Sequence, residues 1–277
     1  MPEPSLLLLI PAYNEEARIE PVLRRYADFF GRNYAGTFQL VVVLNGCRDN
    51  TLGVVQRVAK DFPAVGWLDF PAPIGKGGAL IEGLKLADHA EIIGYVDADG
   101  ATPPNAFLDL VEKTGAADCV IGSRWLPGAV IHQSQTGNRR FASRVFHFIV
   151  QTLFRMNIRD TQCGAKVMKR AAVEKIHSKL LIADMAFDIN LLFALKCAGF
   201  KILEVPTEWT DQIGSKVALT HTSLTMLLSV IRVRLIYWPW LYTLLRPLKP
   251  LETWLYKKLR APLPLSASEQ RGLKVED

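Results

Sequence analysis

The feature that most constrains this chain is a repeated alternation of short apolar runs with longer stretches of helical periodicity. Strands are expected at Leu6–Ile10, Leu40–Leu44, Gly66–Phe70, Ile92–Val96 and Cys119–Gly122, each Leu-rich or β-branched and bounded by turn residues. Between them, residues 21–32, 50–62, 77–90 and 103–115 read as helices, and Leu80, Leu84 and Ala87 share one face of the third. Strands joined by crossovers of this length pair in parallel. The expected fold is therefore α/β, with a mostly parallel central sheet covered by helices on both sides. In such sheets ligands bind beyond the carboxyl ends of the strands, so the residues just after each strand are the ones to read for function.

Composition narrows the classes. With 277 residues, 22% charged and 49% hydrophobic, the chain has ample core-forming material and is not a disordered segment. Its four cysteines (47, 119, 163 and 197) are scattered, with no C-x-x-C, so neither a disulfide scaffold nor a structural zinc site is expected. The opening Met1-Pro2-Glu3-Pro4 has no basic stretch and Leu6–Ile10 is short for a signal peptide, which sets the expected location as cytoplasmic. Charge divides the chain in two. Residues 1–215 carry 23 basic and 23 acidic side chains, whereas 216–277 carry 10 and 4, and so supply the whole net +6. We therefore expect a neutral domain over 1–215 and a basic, aromatic segment over 216–277.

Four polar clusters follow successive strands or open the next helix: Pro11-Ala12-Tyr13-Asn14-Glu15, Asn45 to Thr51, Gly75-Lys76-Gly77-Gly78, and Asp97-Ala98-Asp99-Gly100. Each has an ordinary reading as a cap, turn or loop. Four of them at one end of one sheet make chemical sense together. Two carboxylates one residue apart can hold Mg²⁺ or Mn²⁺, hard cations that leave positions for substrate phosphates. Tyr13 offers a flat face to a nucleobase, Glu15, Asn45 and Asp49 offer hydrogen bonds to base and ribose, and Lys76 offers a point charge to a diphosphate. Lys76 is followed by Gly77 rather than Ser or Thr, so this is no Walker A loop, and no G-x-G-x-x-G opens the first helix. The pattern fits a metal–nucleotide diphosphate.

The set PAYNE, NGCRDNT, GKGGA and DADGAT, followed by Gly122-Ser123-Arg124 and Asp160-Thr161-Gln162-Cys163-Gly164-Ala165-Lys166, resembles glycosyltransferase family 2 over roughly residues 5–217. Within that family the chain is most similar to the dolichyl- or polyprenyl-phosphate glucosyltransferases, with the mannosyltransferases next. The resemblance implies a GT-A fold, a nucleotide-sugar donor, a divalent metal and inversion at the anomeric carbon. It puts Pro11, Tyr13, Asn14 and Glu15 at the nucleoside and Asn45 and Asp49 at base and ribose. Lys76 and Asp97 fall near the donor, and Asp97 and Asp99 form the metal-binding DxD. Arg124 matches an arginine that holds an acceptor phosphate, Arg139 or Arg140 a second clamp, and Asp160 an aspartate near the reaction centre.

Three departures stand out. The usual Asp-Asp-Gly-Ser is Leu44-Asn45-Gly46-Cys47; Asn45 still donates and accepts, which leaves the identity of the base open. In Phe187-Asp188-Ile189-Asn190 the last position is often Glu in the family, and Asn190 cannot serve as a base. Eukaryotic relatives carry a membrane helix at the start, and no such helix is expected within this sequence. A phosphate monoester is already anionic near neutral pH and needs positioning more than deprotonation, a task suited to guanidinium forks.

Over 216–260 there are eight basic residues and one acid, and Leu224, Leu227, Leu228, Ile231, Leu235 and Trp238 recur at helical spacing. Arg232, Arg234 and Pro239 interrupt any spanning helix, since each central Arg costs about 2.5–3.5 kcal/mol on insertion scales. An amphipathic element on an anionic membrane surface is expected, peripheral on the cytoplasmic face, with no nucleic-acid role. The leading expectation is glucose transfer from UDP-glucose to polyprenyl phosphate. The alternatives are mannosyl transfer from GDP-mannose, transfer to a soluble acceptor, and a membrane-docked scaffold without catalysis.

Overall fold

The computed structural model describes residues 4–132, 137–210 and 219–238, with backbone alone for 137–143, 145 and 219–225. The first half alternates as the pattern demands: β1 (Leu6–Ala12), α1 (Ile19–Asn33), β2 (Phe38–Asn45), α2 (Thr51–Asp61), β3 (Val65–Phe70), α3 (Lys76–Gly83), β4 (Ile92–Tyr95), α4 (Pro104–Glu112) and β5 (Cys119–Ser123). The second half adds β6 (Val130–Ile131), α5 (Gly137–Phe154), β7 (Lys166–Lys169), α6 (Arg170–Ile176), α7 (Phe187–Cys197), β8 (Ile202–Pro206), β9 (Glu208–Trp209) and α8 (Leu219–Ile236).

Seven strands form one sheet in the order β3-β2-β1-β4-β7-β5-β8. All neighbours run parallel except β7, which is antiparallel to both β4 and β5. β1 is buried along its whole length because both faces are covered, which is why its sequence is a continuous apolar run. The strand period of two then divides it. Leu6, Leu8 and Ile10 join Leu40, Val42 and Leu44 under α1, α2 and α4, while Leu7 and Leu9 join Val41 and Val43 under α3, α6 and α7.

The third expected helix, 77–90, is α-helical only to Gly83 and continues to His89 as a tighter 3₁₀ turn. Leu84, Ala87 and Ala90 are all buried, and a three-residue spacing aligns side chains only on three residues per turn. β7 and β8 were not expected. β7 is a four-residue strand ending in Lys at both ends, and β8 is an edge strand with one buried residue.

α8 buries Ser229, Val230 and Val233, and sets Tyr237 edge-on to Phe193 at 4.8 Å. This is the opposite side from the expected apolar stripe: Ile231 (43%) and Trp238 (38%) of that stripe are exposed. Leu224's side chain, and everything in 216–277 outside Leu219–Trp238, lie outside the described residues. Among the described residues no helix is long and apolar enough to cross a membrane.

Candidate active site

The expected clusters meet at the carboxyl edge of the sheet. Past β1 the chain turns at Asn14, whose φ of 54° lies in the left-handed region that Asn tolerates better than most side chains. The Asn14 side-chain carbonyl accepts the Arg48 amide at 2.8 Å, while its buried Nδ2 has no hydrogen-bond partner among the described residues. Glu15 is clamped by both Nε and Nη2 of Arg18 at 2.7 Å, and its amide donates to Thr51 Oγ1. Asp49 accepts the amides of Glu16 and Thr51, tying the β1 loop to the start of α2. Asn45 Oδ1 accepts the Ile74 and Gly75 amides at 2.6 and 3.0 Å, so it holds the turn that introduces Lys76. Pro11 closes β1 beneath this loop, and half-buried Tyr13 follows it.

Beyond β4 the Lys76 ammonium sits 2.6 Å from Asp97 Oδ1. Asp99 accepts the Ala101 amide at 3.0 Å. Burial and the neighbouring Asp97 charge raise the Asp99 carboxyl above its ordinary range, against the pull of the Ala101 amide, Lys76 and Arg18. Gly164 presses on this pair: a Cβ there would lie 2.1 Å from Asp97 Oδ2. The absence of a side chain at 164 is what leaves room for the Asp97 carboxylate.

Arg124, one residue past β5, makes a bidentate pair with Asp160 through Nε (2.7 Å) and Nη2 (2.9 Å), and its amide donates to the same carboxylate. Its guanidinium lies over Trp209, 5.2 Å from the ring centroid. Burial alone would raise the Asp160 carboxyl, but the hydrogen bonds and charge of Arg124 outweigh it and hold the carboxyl below the usual range. Glu204 on β8 accepts the Arg159 and Asp160 amides and fixes the loop that carries the pair. The backbone of Arg139 and Arg140 belongs to the first turn of α5; their side chains lie outside the described residues.

A buried network lies beneath the site; Lys166 and Asp188 stand inside motifs quoted above, but nothing in the sequence pairs them. Lys166 on β7, fully inaccessible, lies 2.5 Å from Asp188 Oδ1 and donates to the Cys163 carbonyl at 2.6 Å. The Tyr95 hydroxyl donates to the same Asp188 oxygen. Burial would raise the Asp188 carboxyl, yet the charges of Lys166 and Lys76 and the hydrogen bonds of Lys166 and Tyr95 bring it below its usual range. Trp209 stands outside the quoted motifs. Gly164 stands inside a quoted motif, but the crowding that requires glycine there exists only in three dimensions.

Among the described residues no three or more His, Cys, Asp and Glu gather into a metal site of their own. Asp97 and Asp99 nevertheless fit a hard divalent cation. They are neighbouring carboxylates, one already holding an ammonium, and such a cation would take its remaining ligands from phosphates and water.

A mostly parallel sheet with paired carboxylates after β4, polar loops after β1 and β2 and a fixed arginine after β5 defines a nucleotide-diphospho-sugar transferase of the GT-A fold. The structure is similar to Mycobacterium tuberculosis glucosyl-3-phosphoglycerate synthase in complex with Mn²⁺, UDP and glucosyl-3-phosphoglycerate, with TM-score 0.60 and 18% identity over 83% of this chain and 80% of that one. The chain belongs to glycosyl transferase family 2, whose model matches residues 8–177. It is 32% identical to a dolichyl-phosphate beta-glucosyltransferase of Trichomonas vaginalis, over 76% of this chain and 66% of that relative. With the Drosophila melanogaster enzyme of that description it shares 32% identity, over 78% and 70%. With glycosyltransferase AglD of Haloferax volcanii it shares 29% over 81% of this chain but 36% of the relative, so the chain spans about a third of that longer protein.

Proposed function

We propose that this glycosyltransferase moves glucose from UDP-glucose to a polyprenyl, dolichyl-type phosphate at a membrane surface, inverting the anomeric carbon. The observation that carries this reading is Arg124, partly buried and oriented by Asp160 and Trp209 at the sheet edge that also bears Asp97, Asp99 and Lys76. The names of the relatives point the same way.

Tyr13, Asn14, Glu15, Asn45 and Asp49 shape the nucleoside end, by contact or by holding the loops that make contact. Lys76 faces the donor diphosphate. Mg²⁺ or Mn²⁺ held by Asp97 and Asp99 supplies electrostatic stabilisation of the departing nucleoside diphosphate. Arg124 has further N–H groups beyond the two that Asp160 occupies, and these, with Arg139 or Arg140, hold the acceptor phosphate. Asp160, with both oxygens engaged and its carboxyl held ionised, acts by orienting Arg124. An anionic acceptor attacks without a strong base, because the phosphate oxygen is already deprotonated.

The exposed face of α8, with Ile231 and Trp238, lies on a helix that packs against α5, where Phe148 is 70% exposed. These residues suit the interfacial zone of a membrane, on the cytoplasmic side where nucleotide sugars are expected. The test is radiolabelled UDP-glucose incubated with polyprenyl phosphate and Mg²⁺ or Mn²⁺, with GDP-mannose and soluble phosphate acceptors in parallel. Labelled glucosyl lipid is expected. Absence of that product together with absence of UDP-glucose binding refutes the proposal, and preference for GDP-mannose reassigns the sugar.

A further inference from the structure

Lys76 occupies the place where a cation is needed. Its ammonium lies 2.6 Å from Asp97 Oδ1, and its side chain is 21% exposed, so it reaches into the cleft from a fixed base. The base is fixed by the preceding turn. Gly75 adopts φ +81° with the Ala183 carbonyl where a Cβ would stand, and the Gly78 amide donates to that carbonyl at 3.1 Å. Only the side chain of Lys76 is therefore free to exchange partners.

Among the described residues the other charges around the pair are already matched, Arg124 by Asp160. Asp188 is held by Lys166 and Tyr95, and Arg18 by both oxygens of Glu15. Asp97 and Asp99 thus present two negative charges against the one positive charge of Lys76. A divalent cation arriving alone must share Asp97 with an ammonium, and like charges at that separation repel. A nucleoside diphosphate arriving with the cation gives the ammonium a new anionic partner and removes the conflict.

We propose that Lys76 is a built-in competitor for the Asp97 carboxylate, which makes cation binding and donor binding mutually dependent. This rests on the reading of Asp97 and Asp99 as cation ligands. The ammonium shields the carboxylate pair while the cleft is empty of donor, and transfers to the diphosphate oxygens when cation and nucleotide enter together. Lys76 is on this account a positioning residue that sets the order of loading.

The experiment measures Mn²⁺ affinity by electron paramagnetic resonance on the full chain, with Mn²⁺ alone and with UDP added. Wild type, Lys76→Met, Lys76→Gln and Lys76→Arg are compared. For Lys76→Met and Lys76→Gln, Mn²⁺ alone is expected to bind on the order of tenfold tighter than to wild type, with a correspondingly smaller gain when UDP is added, a coupling of ordinary size between linked ligands. Lys76→Arg keeps the competing charge and is expected to stay within about twofold of wild type, far inside that coupling. A lysine needed only for structure would lower Mn²⁺ affinity when replaced, not raise it. Unchanged or weaker binding of Mn²⁺ alone by both neutral variants overturns the proposal. Asp99→Asn separates the two levels: if it leaves Mn²⁺ binding in the presence of UDP unchanged, the cation reading itself fails, whatever the Lys76 variants do.

Discussion

Gly164→Ala tests whether the site depends on a close approach that no motif announces. An alanine Cβ at 164 would lie 2.1 Å from Asp97 Oδ2 and 2.5 Å from Asp97 Cγ, against the 3.0 Å that real Cβ atoms respect. The carboxylate must move by about 0.9 Å, or Asp97 must adopt another rotamer, while the backbone at 164 needs no left-handed conformation. What is displaced is the polar end of a half-exposed side chain, so folding stability should change by less than about 1 kcal/mol. Catalysis should suffer far more. A misplacement of about 1 Å in a positioned group costs on the order of a hundredfold, equal to about 2.7 kcal/mol of barrier at 1.36 kcal/mol per factor of ten. The assay is kcat/KM for UDP-glucose with polyprenyl phosphate, set beside thermal unfolding and Mn²⁺ affinity in the presence of UDP. Gly31→Ala, where nothing lies within 4 Å of the new Cβ, is the control. Wild-type kcat/KM in Gly164→Ala would refute the reasoning. So would loss of activity in step with a large fall in melting temperature, because the effect would then lie in folding and not in the carboxylate.

Asp160→Asn should destabilise the fold by about 3–5 kcal/mol in chemical denaturation, since it removes the buried carboxylate that matches the partly buried Arg124 charge. The same pair gives a pH signature. The Asp160 carboxyl is held below its unfolded value near 4, so its contribution is present above that pH and lost as pH falls. Wild-type stability should drop from about pH 5 to pH 3 more steeply than that of Asp160→Asn; equal slopes would remove Asp160 from the account. Lys166→Met and Asp188→Leu should each cost about 3–5 kcal/mol, whereas the double variant should recover much of that loss, because a buried pair is worse broken than replaced. Additive losses in the double-mutant cycle would contradict this. Replacing Ile231 and Trp238 together by Ser should weaken sedimentation with anionic vesicles several-fold and spare turnover of a detergent-dispersed acceptor; undiminished vesicle binding would count against the α8 surface.

Much of this arrangement is legible in the sequence. The first five strands, the helices between them and the polar clusters at their ends follow from local periodicity, and a parallel sheet then puts those ends together. The sequence offers Asn45 and Asp49 both as partners of base and ribose and as turn or cap residues; their side-chain oxygens accept backbone amides, so they do shape the loops. On α8 the helical period was plain, yet two apolar faces competed for the domain. The helix buries Val230 and Val233 and leaves Ile231 and Trp238 outside, because α5 and α7 offer complementary surface to that side.

What the sequence determined by itself was the alternation, the strand-end chemistry and the family pattern, since each depends on residues close together in the chain. Tertiary structure decided which charges meet: Lys76 with Asp97, Arg124 with Asp160 and Trp209, Lys166 with Asp188 and Tyr95. It also decided that position 164 must be glycine. These partners stand 21 to 93 residues apart in the chain. Their pairing is fixed by sheet order and by the exclusion of water around them, and neither is written in local periodicity.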